Sequence, residues 1–495
     1  MKHALCLLAL PVTIAFASFG PSVRIDHSDV PTNWMQSPAI TLGPRTPSGQ
    51  TVYVAFQKDS LLLTGSANTL ANTSCIMFQK STDGGRTWLP ADVLIHRGSP
   101  LAEWPDIVTD SEGDIYIVYE DNPDSASYWY SCIRSNDGGS TWGSPVCIHG
   151  RSYGWAHVAL DSAGNLFVVW AQGHVYSSVS TDKGITWSPR VRVDDDTVRV
   201  ECYDADAYVQ PGTNHYLVVA SAPYHHSGNY VSFHAYQYRS TNMGRTFEPG
   251  VQLDSLGGAF EPHVVADEQH IICDYTGQRG VPSRLITGAR TYYEPPDTWG
   301  TGVRVAELDS SYDIYYHGSK LAISADGRIH AALMIVKVDS GNYRAYYAYS
   351  SDHGASWSDT ELVSDDNTQD IDYPDIAADS SGNAYVVWMT NPPSSGEIWF
   401  ATNAPAGIAE EPQRHSIRPQ QSATIIRNVL FLPEASSLKP QATSCLLDIC
   451  GRRVMDLAPG ANVVRALAPG VYFVRADPSA VSRQPLAVTK VVLTR

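Results

Sequence analysis

One eight-residue pattern recurs five times along the chain: Ser81-Thr-Asp83-Gly-Gly85-Arg-Thr87-Trp88, Ser135-Asn-Asp137-Gly-Gly139-Ser-Thr141-Trp142, Ser180-Thr-Asp182-Lys-Gly184-Ile-Thr186-Trp187, Ser240-Thr-Asn242-Met-Gly244-Arg-Thr246-Phe247 and Ser350-Ser-Asp352-His-Gly354-Ala-Ser356-Trp357. Each residue type has a mechanical reason. The Asp or Asn accepts hydrogen bonds from backbone N–H groups of its own turn, and Gly supplies a positive φ. Ser and Thr tie the turn ends, and the aromatic packs beneath. The first four aromatic positions are 54, 45 and 60 residues apart, and the next lies 110 residues further on. A step of about twice the period predicts a hidden copy midway, found as the eroded Asp297-Thr298-Trp299, which has lost its Ser and Gly. Repeats at such a period are supersecondary units that bury their apolar faces only by stacking on neighbours.

A second motif precedes each copy: an apolar strand, a polar Gly turn, then an alternating strand. It is clearest in Pro105-Asp-Ile-Val-Thr-Asp110-Ser-Glu-Gly113-Asp-Ile-Tyr-Ile-Val-Tyr119, in 156–170 and in 374–388, with weaker copies near Pro38, Asp204, Pro262 and His317. Seven units follow, each read as four antiparallel strands A to D, with A nearest a common axis and the acidic turn between C and D. The composition agrees: 27 Tyr, 12 Trp, 37 Gly and 31 Pro, with 17 % charged residues, favour strands joined by tight turns. The expected fold is all-β, a seven-bladed (alternatively six-bladed) β-propeller over 22–403, followed by a small C-terminal β-sandwich. The seventh unit lacks a fourth strand after Thr402, and Ser22-Val-Arg-Ile-Asp26 is expected to supply it and close the ring.

The five motif copies resemble the Asp box, or BNR repeat, of sialidase-like propellers. The resemblance implies that Asp83, Asp137, Asp182, Asn242 and Asp352 are architectural and that ligands meet the opposite face. Familiar sialidases have six blades. They clamp a substrate carboxylate with three arginines, pair a Tyr nucleophile with a Glu, use an Asp as acid/base and carry an Arg-Ile-Pro motif near the start. Here that motif reads Arg24-Ile25-Asp26, without its Pro. Arg151, Arg199 and Arg279 fall in loops of the expected ligand face.

That face is built from the starts of strand A and the ends of strand B. It collects Trp104, Asp106, Trp155, His157, Asp204, Asp206, Glu261, His263, Tyr316, His317, Tyr373 and Asp375, with Glu120, Asp121, Tyr224, His225, His226, Asp274 and Tyr275 behind them. Rings beside carboxylates suit a sugar, since rings stack on pyranose faces while acids bind hydroxyls or act in pairs. The competing account is that such acids only satisfy loop N–H groups. Three functions follow: a propeller binding a glycan or protein ligand without turnover, a sialidase-type exo-glycosidase, or a structural protein with an unused mouth.

The ends carry different signals. Lys2, the apolar run Ala4–Phe16 and Ala15-Phe16-Ala17 read as a secretory signal over 1–17. Residues 404–422, rich in Pro, Gln and Ala, read as a linker. Residues 423–495, with Gly451-Arg-Arg-Val454, Pro469-Gly-Val-Tyr-Phe-Val-Arg475 and Lys490-Val-Val-Leu493, resemble the type A C-terminal sorting domain of the bacterial type IX secretion system. That resemblance implies a partner in the secretion machinery and a secreted or outer-membrane surface location.

A net charge of −17 without a basic run argues against nucleic acid. No later stretch is apolar enough to span a bilayer. No metal-ligand spacing and no phosphate-binding loop stands out, so neither a metal nor a cofactor is expected. Cys132 and Cys147 sit near each other across one hairpin, although free buried cysteines are the stronger reading.

Overall fold

The computed structural model describes residues 18–27, 34–64, 69–98, 101–122, 128–150, 155–195, 204–225, 231–254, 259–276, 288–293, 298–306, 312–337, 341–365, 370–390 and 396–405, and, further on, 424–426, 429–432, 444–447, 452–458, 460–464, 467, 470–476 and 488–493. Among them every regular element is a strand. Residues 1–407 and 408–495 form two compact units. The expected leader, most of the expected linker, Arg151, Arg199, Arg279, Asp297 and His226 lie outside the described residues.

The first unit is a seven-bladed β-propeller. Its strands fall into seven antiparallel sheets in the order A-B-C-D, blade five carrying a further short strand, Val303–Arg304, that also pairs with its strand C. Strand A runs over Trp34–Leu42, Ala102–Thr109, Ala156–Leu160, Asp204–Val209, Phe260–Ala266, Tyr312–Ile323 and Ile371–Ala378 in blades one to seven. Consecutive A strands pack against one another, and the last packs on the first, so they line a closed axis. The six-bladed alternative is thereby excluded.

Apolar clusters hold the ring at all seven junctions between neighbouring blades, with two at the junction of blades five and six. Successive residues of strand B serve opposite junctions. Val54 and Phe56 of blade one pack toward blade seven with Val387 and Phe400, whereas Tyr53 and Ala55 pack toward blade two with Ile115 and Ile117. This explains why the B strands Ile115–Asp121 and Ala384–Thr390 are buried at every position, although a strand with one wet face would alternate.

The ring is closed by the N-terminal strand. Val23 and Arg24 pair with Phe400 and Trp399, placing Val23–Arg24 as strand D of blade seven, as the sequence predicts. The third position of Arg24-Ile25-Asp26 is used in that closure. Arg24 is bound by Asp26 and Glu397, each at 2.7 Å, on the outermost strand, far in the blade from the axis-lining strand A.

The recurrent turns have the hydrogen bonds their residues require. Asp83 Oδ1 accepts the N–H groups of Arg86 and Thr87 at 3.0 and 2.9 Å, and Oδ2 accepts the Thr87 hydroxyl at 2.6 Å. Asp137, Asp182 and Asp352 repeat the bond to the residue four places on, and Asn242 uses its amide to donate to Thr246 Oγ1 at 2.7 Å. The Thr141 hydroxyl and N–H, with lesser donors, hold Asp137 down to about 2. The turn aromatics also have a longer reach than their own turn: Trp142 meets Phe78 of blade one edge to face at 5.2 Å, and Trp88 meets Phe400 of blade seven at 5.1 Å. In the eroded fifth copy, Thr298–Trp299 instead pairs as a short strand with Tyr292 and Tyr293, while Trp299 keeps its place in the junction with blade four.

Cys132 and Cys147 stand on neighbouring strands one position out of register, opposite Val146 and Ser131, and both thiols are free. In the second unit, Thr424–Ile426, Val488–Leu493, Gly470–Ala476, Ser444–Leu447 and Arg453–Leu457 form one sheet in that order, and Val429–Leu432 pairs separately with Gly460–Val463. Leu446, Leu457 and Val464 are its buried cluster.

Candidate functional site

The starts of the A strands converge on an axial funnel enclosing about 760 Å³, part of it open to solvent. Its geometry comes from a repeated backbone device. In blades one, two, five and seven a proline follows the rim residue, and one extra residue bulges out of strand A: Gln36 to Ala39, Glu103 to Asp106, Phe260 to His263 and Asp372 to Asp375. The rim residues Ser37, Trp104, Glu261 and Tyr373 adopt left-handed φ values of 48°, 50°, 41° and 48°. Such conformations are costly for residues other than glycine and re-aim a side chain from the sheet plane. Here they present the rim side chains to the mouth.

Two tiers result. The rim carries Trp104, Trp155, Asp204, Glu261 and Tyr373. The ring beneath carries Ala39, Asp106, His157, Asp206, His263, Lys320 and Asp375, one from each blade in order. On the rim, Trp155 makes edge-to-face contacts with Trp104 at 6.2 Å and with Tyr373 of blade seven at 6.3 Å, so three rings reach across the mouth. All three remain partly exposed. The Trp104 N–H donates to Gln57 Oε1 at 3.2 Å, and the same amide group donates to Asp59 at 2.8 Å.

In the ring, three aspartates reach over to the next blade. Asp106 accepts the Val158 N–H at 2.8 Å, Asp206 that of Val264 at 3.1 Å and Asp375 that of Ile40 at 2.8 Å. The acids therefore do satisfy backbone donors, as the architectural account requires, while still lining the funnel. His157 Nδ1 lies between Asp106 and Asp206, at 3.5 and 3.7 Å. Lys320 is the cation among them. Burial works against its charge, but Asp206, Asp375, Asp106 and Glu261 outweigh that and raise its pKa.

These neighbours give the carboxylates different affinities for a proton. Burial pushes Asp375 up to about 6 in spite of Lys320, with Asp106 adding to the rise. Burial likewise acts on Asp106, yet the hydrogen bond and charge of His157, with Lys320 and the Val158 N–H, bring it below the ordinary carboxylate range. His263 of the ring is 3.3 Å from Asp274 on strand B behind it; burial lowers the imidazole well below its usual value and raises Asp274 to about 7.

Of the residues singled out in the sequence, Trp104, Asp106, Trp155, His157, Asp204, Asp206, Glu261, His263, Tyr373 and Asp375 are brought together around the funnel. Tyr316 and His317 belong to strand A of blade six, but their side chains lie outside the described residues, as do those of Tyr224 and His225. Blade six's ring position is three residues beyond His317, at Lys320. The reason is a wider irregularity: Ile314 pairs with Ile335 and Ser319 with Leu333, so three extra residues are accommodated. A signal for Lys320 was present, since Asp106, His157 and Asp375 each stand seven residues before the glycine of their A–B turn and Lys320 stands seven before Gly327. Gln57, Asp59 and Glu103 gave no such signal, because strand-end polarity is not periodic.

The acidic turns occupy the other face. The A–B turn of blade one is tied to the acidic turn of the same blade, with the Thr46 hydroxyl donating to Thr82 O at 2.7 Å. Lys183 of blade three reaches Glu112 and Asp114 in the A–B turn of blade two at 2.6 and 2.9 Å. A–B turns and strand A starts are opposite ends of the same strand, so the turns and the funnel mouth are on opposite rims.

Fold and site together define a seven-bladed propeller with an acidic, aromatic axial funnel. No family model matches the chain, and no curated protein sequence does. Solved structures that are similar include a protein of unknown function from Dyadobacter fermentans (17 % identity over 79 % of this chain and 99 % of that one, TM-score 0.47). Others are an alpha-L-arabinofuranosidase of Fusarium graminearum in complex with arabinobiose (13 % identity, 78 % and 97 %, TM-score 0.44) and the Trypanosoma rangeli sialidase (12 % identity, 78 % and 58 %, TM-score 0.39). At such identities and scores nothing about substrate or activity passes from those proteins to this one.

Proposed function

We propose that the protein is an extracellular carbohydrate-binding propeller whose ligand sits in the funnel mouth, on the face away from its acidic turns. The observation that carries this reading is the edge-to-face chain of Trp104, Trp155 and Tyr373 above a ring of carboxylates. Flat rings pack on the apolar face of a sugar, while the acids below accept its hydroxyls. The ring's charge selects among sugars. Lys320 is offset by Asp106, Asp206, Asp375 and Glu261, so an anionic sugar would enter against a net negative field. A neutral oligosaccharide is therefore the favoured ligand, and a sialoside is disfavoured. In this reading the recurrent turns are Asp boxes of the sialidase-like kind, the leader directs export, and residues 423–495 serve the secretion machinery.

A second reading, hydrolysis of a glycoside, is favoured by one observation: Asp375 is held near 6 while Asp106 stays ionised in the same funnel. Two acids whose environments push their proton affinities apart are what glycoside cleavage uses.

Calorimetric titration of neutral pentose and hexose oligosaccharides, with sialyllactose in parallel, tests both. Binding of a neutral sugar that weakens at least tenfold in Trp155→Ala supports the binding function. Release of reducing ends, abolished in Asp375→Asn, supports hydrolysis. Absence of binding and turnover across both sugar classes would leave the funnel an architectural feature and sink the proposal.

A further inference from the structure

On the face carrying the acidic turns, three potential ligands from two blades come together. Asp267 and His270 belong to the A–B turn of blade five, closed by the Asp267 N–H donating to His270 O at 3.0 Å. His353 belongs to the acidic turn of blade six. Asp267 Oδ2 is 2.8 Å from His353 Nδ1, and its Oδ1 is 2.9 Å from His270 Nδ1. One donor atom from each of the three lies within 4.8 Å of the others. The two imidazoles stack with centroids 3.9 Å apart and planes inclined by 21°.

The position of His353 is set by the fold. It has a left-handed φ of 57°, as do its counterparts Lys183 at 62° and Met243 at 59°, while Gly84 and Gly138 fill that place in the first two turns. A side chain here projects onto the preceding blade: Lys183 uses it to reach the carboxylates of Glu112 and Asp114. Blade six puts an imidazole there and blade five answers with a carboxylate and a second imidazole. Thr291 of blade five anchors the turn by donating its hydroxyl to His353 O at 2.6 Å.

Asp267 is ion-paired with both imidazoles, but those pairs leave one ligand atom without a hydrogen bond. His353 Nδ1 is buried, and among the described residues no hydrogen bond reaches it in spite of the carboxylate oxygen 2.8 Å away. Side-chain exposures of 17 % for His270, 23 % for Asp267 and 38 % for His353 leave an approach from solvent for a further ligand.

We propose that Asp267, His270 and His353 form a site for a late first-row divalent metal ion, with zinc as the reference case, that clamps blade five to blade six. Two nitrogens and one carboxylate oxygen suit zinc, copper or nickel, with water completing the coordination, and do not suit calcium or magnesium, which take oxygen ligands. The site escapes detection by ligand spacing because His353 is 83 residues beyond His270 in sequence.

The test is calorimetric titration of the chelator-treated full chain with zinc chloride, with calcium and magnesium chloride alongside and thermal unfolding as a second readout. Expected is one equivalent of zinc bound at micromolar or tighter affinity, a rise in Tm with zinc alone, and loss of that equivalent in His270→Gln. His353→Lys installs the residue that blade three carries in the same turn, so the fold is retained while the site loses a ligand; it should be thermally stable without zinc and insensitive to it. Zinc binding that is absent in the folded wild type, or equally tight in both variants, would overturn the assignment.

Discussion

Asp26 Oδ1 accepts the backbone N–H of Ile398 at 2.8 Å, joining residues 372 positions apart. In blades three and four the same service is done locally, where Asp194 accepts the Val175 N–H at 3.0 Å and Asp254 that of Ala235 at 2.9 Å. Asp26 is thus the fourth-strand carboxylate of blade seven, delivered from the other end of the unit.

The Asp26 side chain is fully buried, so its loss leaves the Ile398 N–H without its partner and Arg24 without one of its two acids. Asp26→Ala is expected to cost about 2–4 kcal/mol. Urea unfolding at pH 7 measures it, and a loss under about 0.5 kcal/mol, the range of ordinary surface substitutions, would mean that the ring does not depend on this closure.

Gly139 has a φ of 85°, and a Cβ there would stand 2.6 Å from the Phe78 ring of the preceding blade. Gly139→Ala combines a strained backbone with overpacking and is expected to destabilise by about 2–4 kcal/mol. The substitution Gly84→Ala supplies the contrast: a Cβ meets nothing within 4 Å, and only the backbone term at φ 77° remains, about 1 kcal/mol. Equal losses in the two variants would contradict the role of ring contact.

Lys320→Met removes the cation that Asp106, Asp206, Asp375 and Glu261 surround. The expected cost at pH 7.5 is about 3–5 kcal/mol, as for breaking a buried pair from one side. It should shrink at pH 5, below the value of about 6 at which Asp375 takes up its proton. A loss that is the same at both pH values would indicate a packing defect instead.

Asp274 gives a pH dependence of defined sign. Burial holds it near 7 in the folded protein, against about 3.9 for a free carboxyl. The folded chain keeps this proton where the unfolded chain has released it, so the contribution is full below about pH 4 and is lost as the pH rises through 7. His263, kept neutral by burial, slopes the other way below about pH 6.5, so the variant must be compared with wild type at each pH. Asp274→Asn should gain on wild type by a few kcal/mol between about pH 4 and 8. A difference that does not change with pH would show that Asp274 is ionised throughout.

The blade count and the closing strand were legible because turn and strand chemistry repeats once per blade, so even the eroded copy at Trp299 announces itself by position. The funnel was legible for blades whose strand A is regular or carries only a one-residue bulge. Lys320 was lost because blade six absorbs three additional residues in that strand, displacing the ring position from Tyr316 and His317. What no period encodes is which acid reaches which neighbour: the bonds from Asp106 to Val158 and from Asp375 to Ile40 depend on the angle between blades. The same holds for the approach of His353 to His270, which needs two turns of different blades in contact.

The seven ring positions are related by the pseudo-symmetry of the scaffold, yet they hold alanine, aspartate, histidine, aspartate, histidine, lysine and aspartate in succession. No rotation of the propeller superimposes that order on itself. A guest entering along the axis therefore meets a compass and not a wheel: one bearing puts a given hydroxyl beside Lys320, and turning by a single blade puts it beside an imidazole or a carboxylate. Duplicated units have supplied the walls, and divergence at one place in each has written an address that can be read in only one direction.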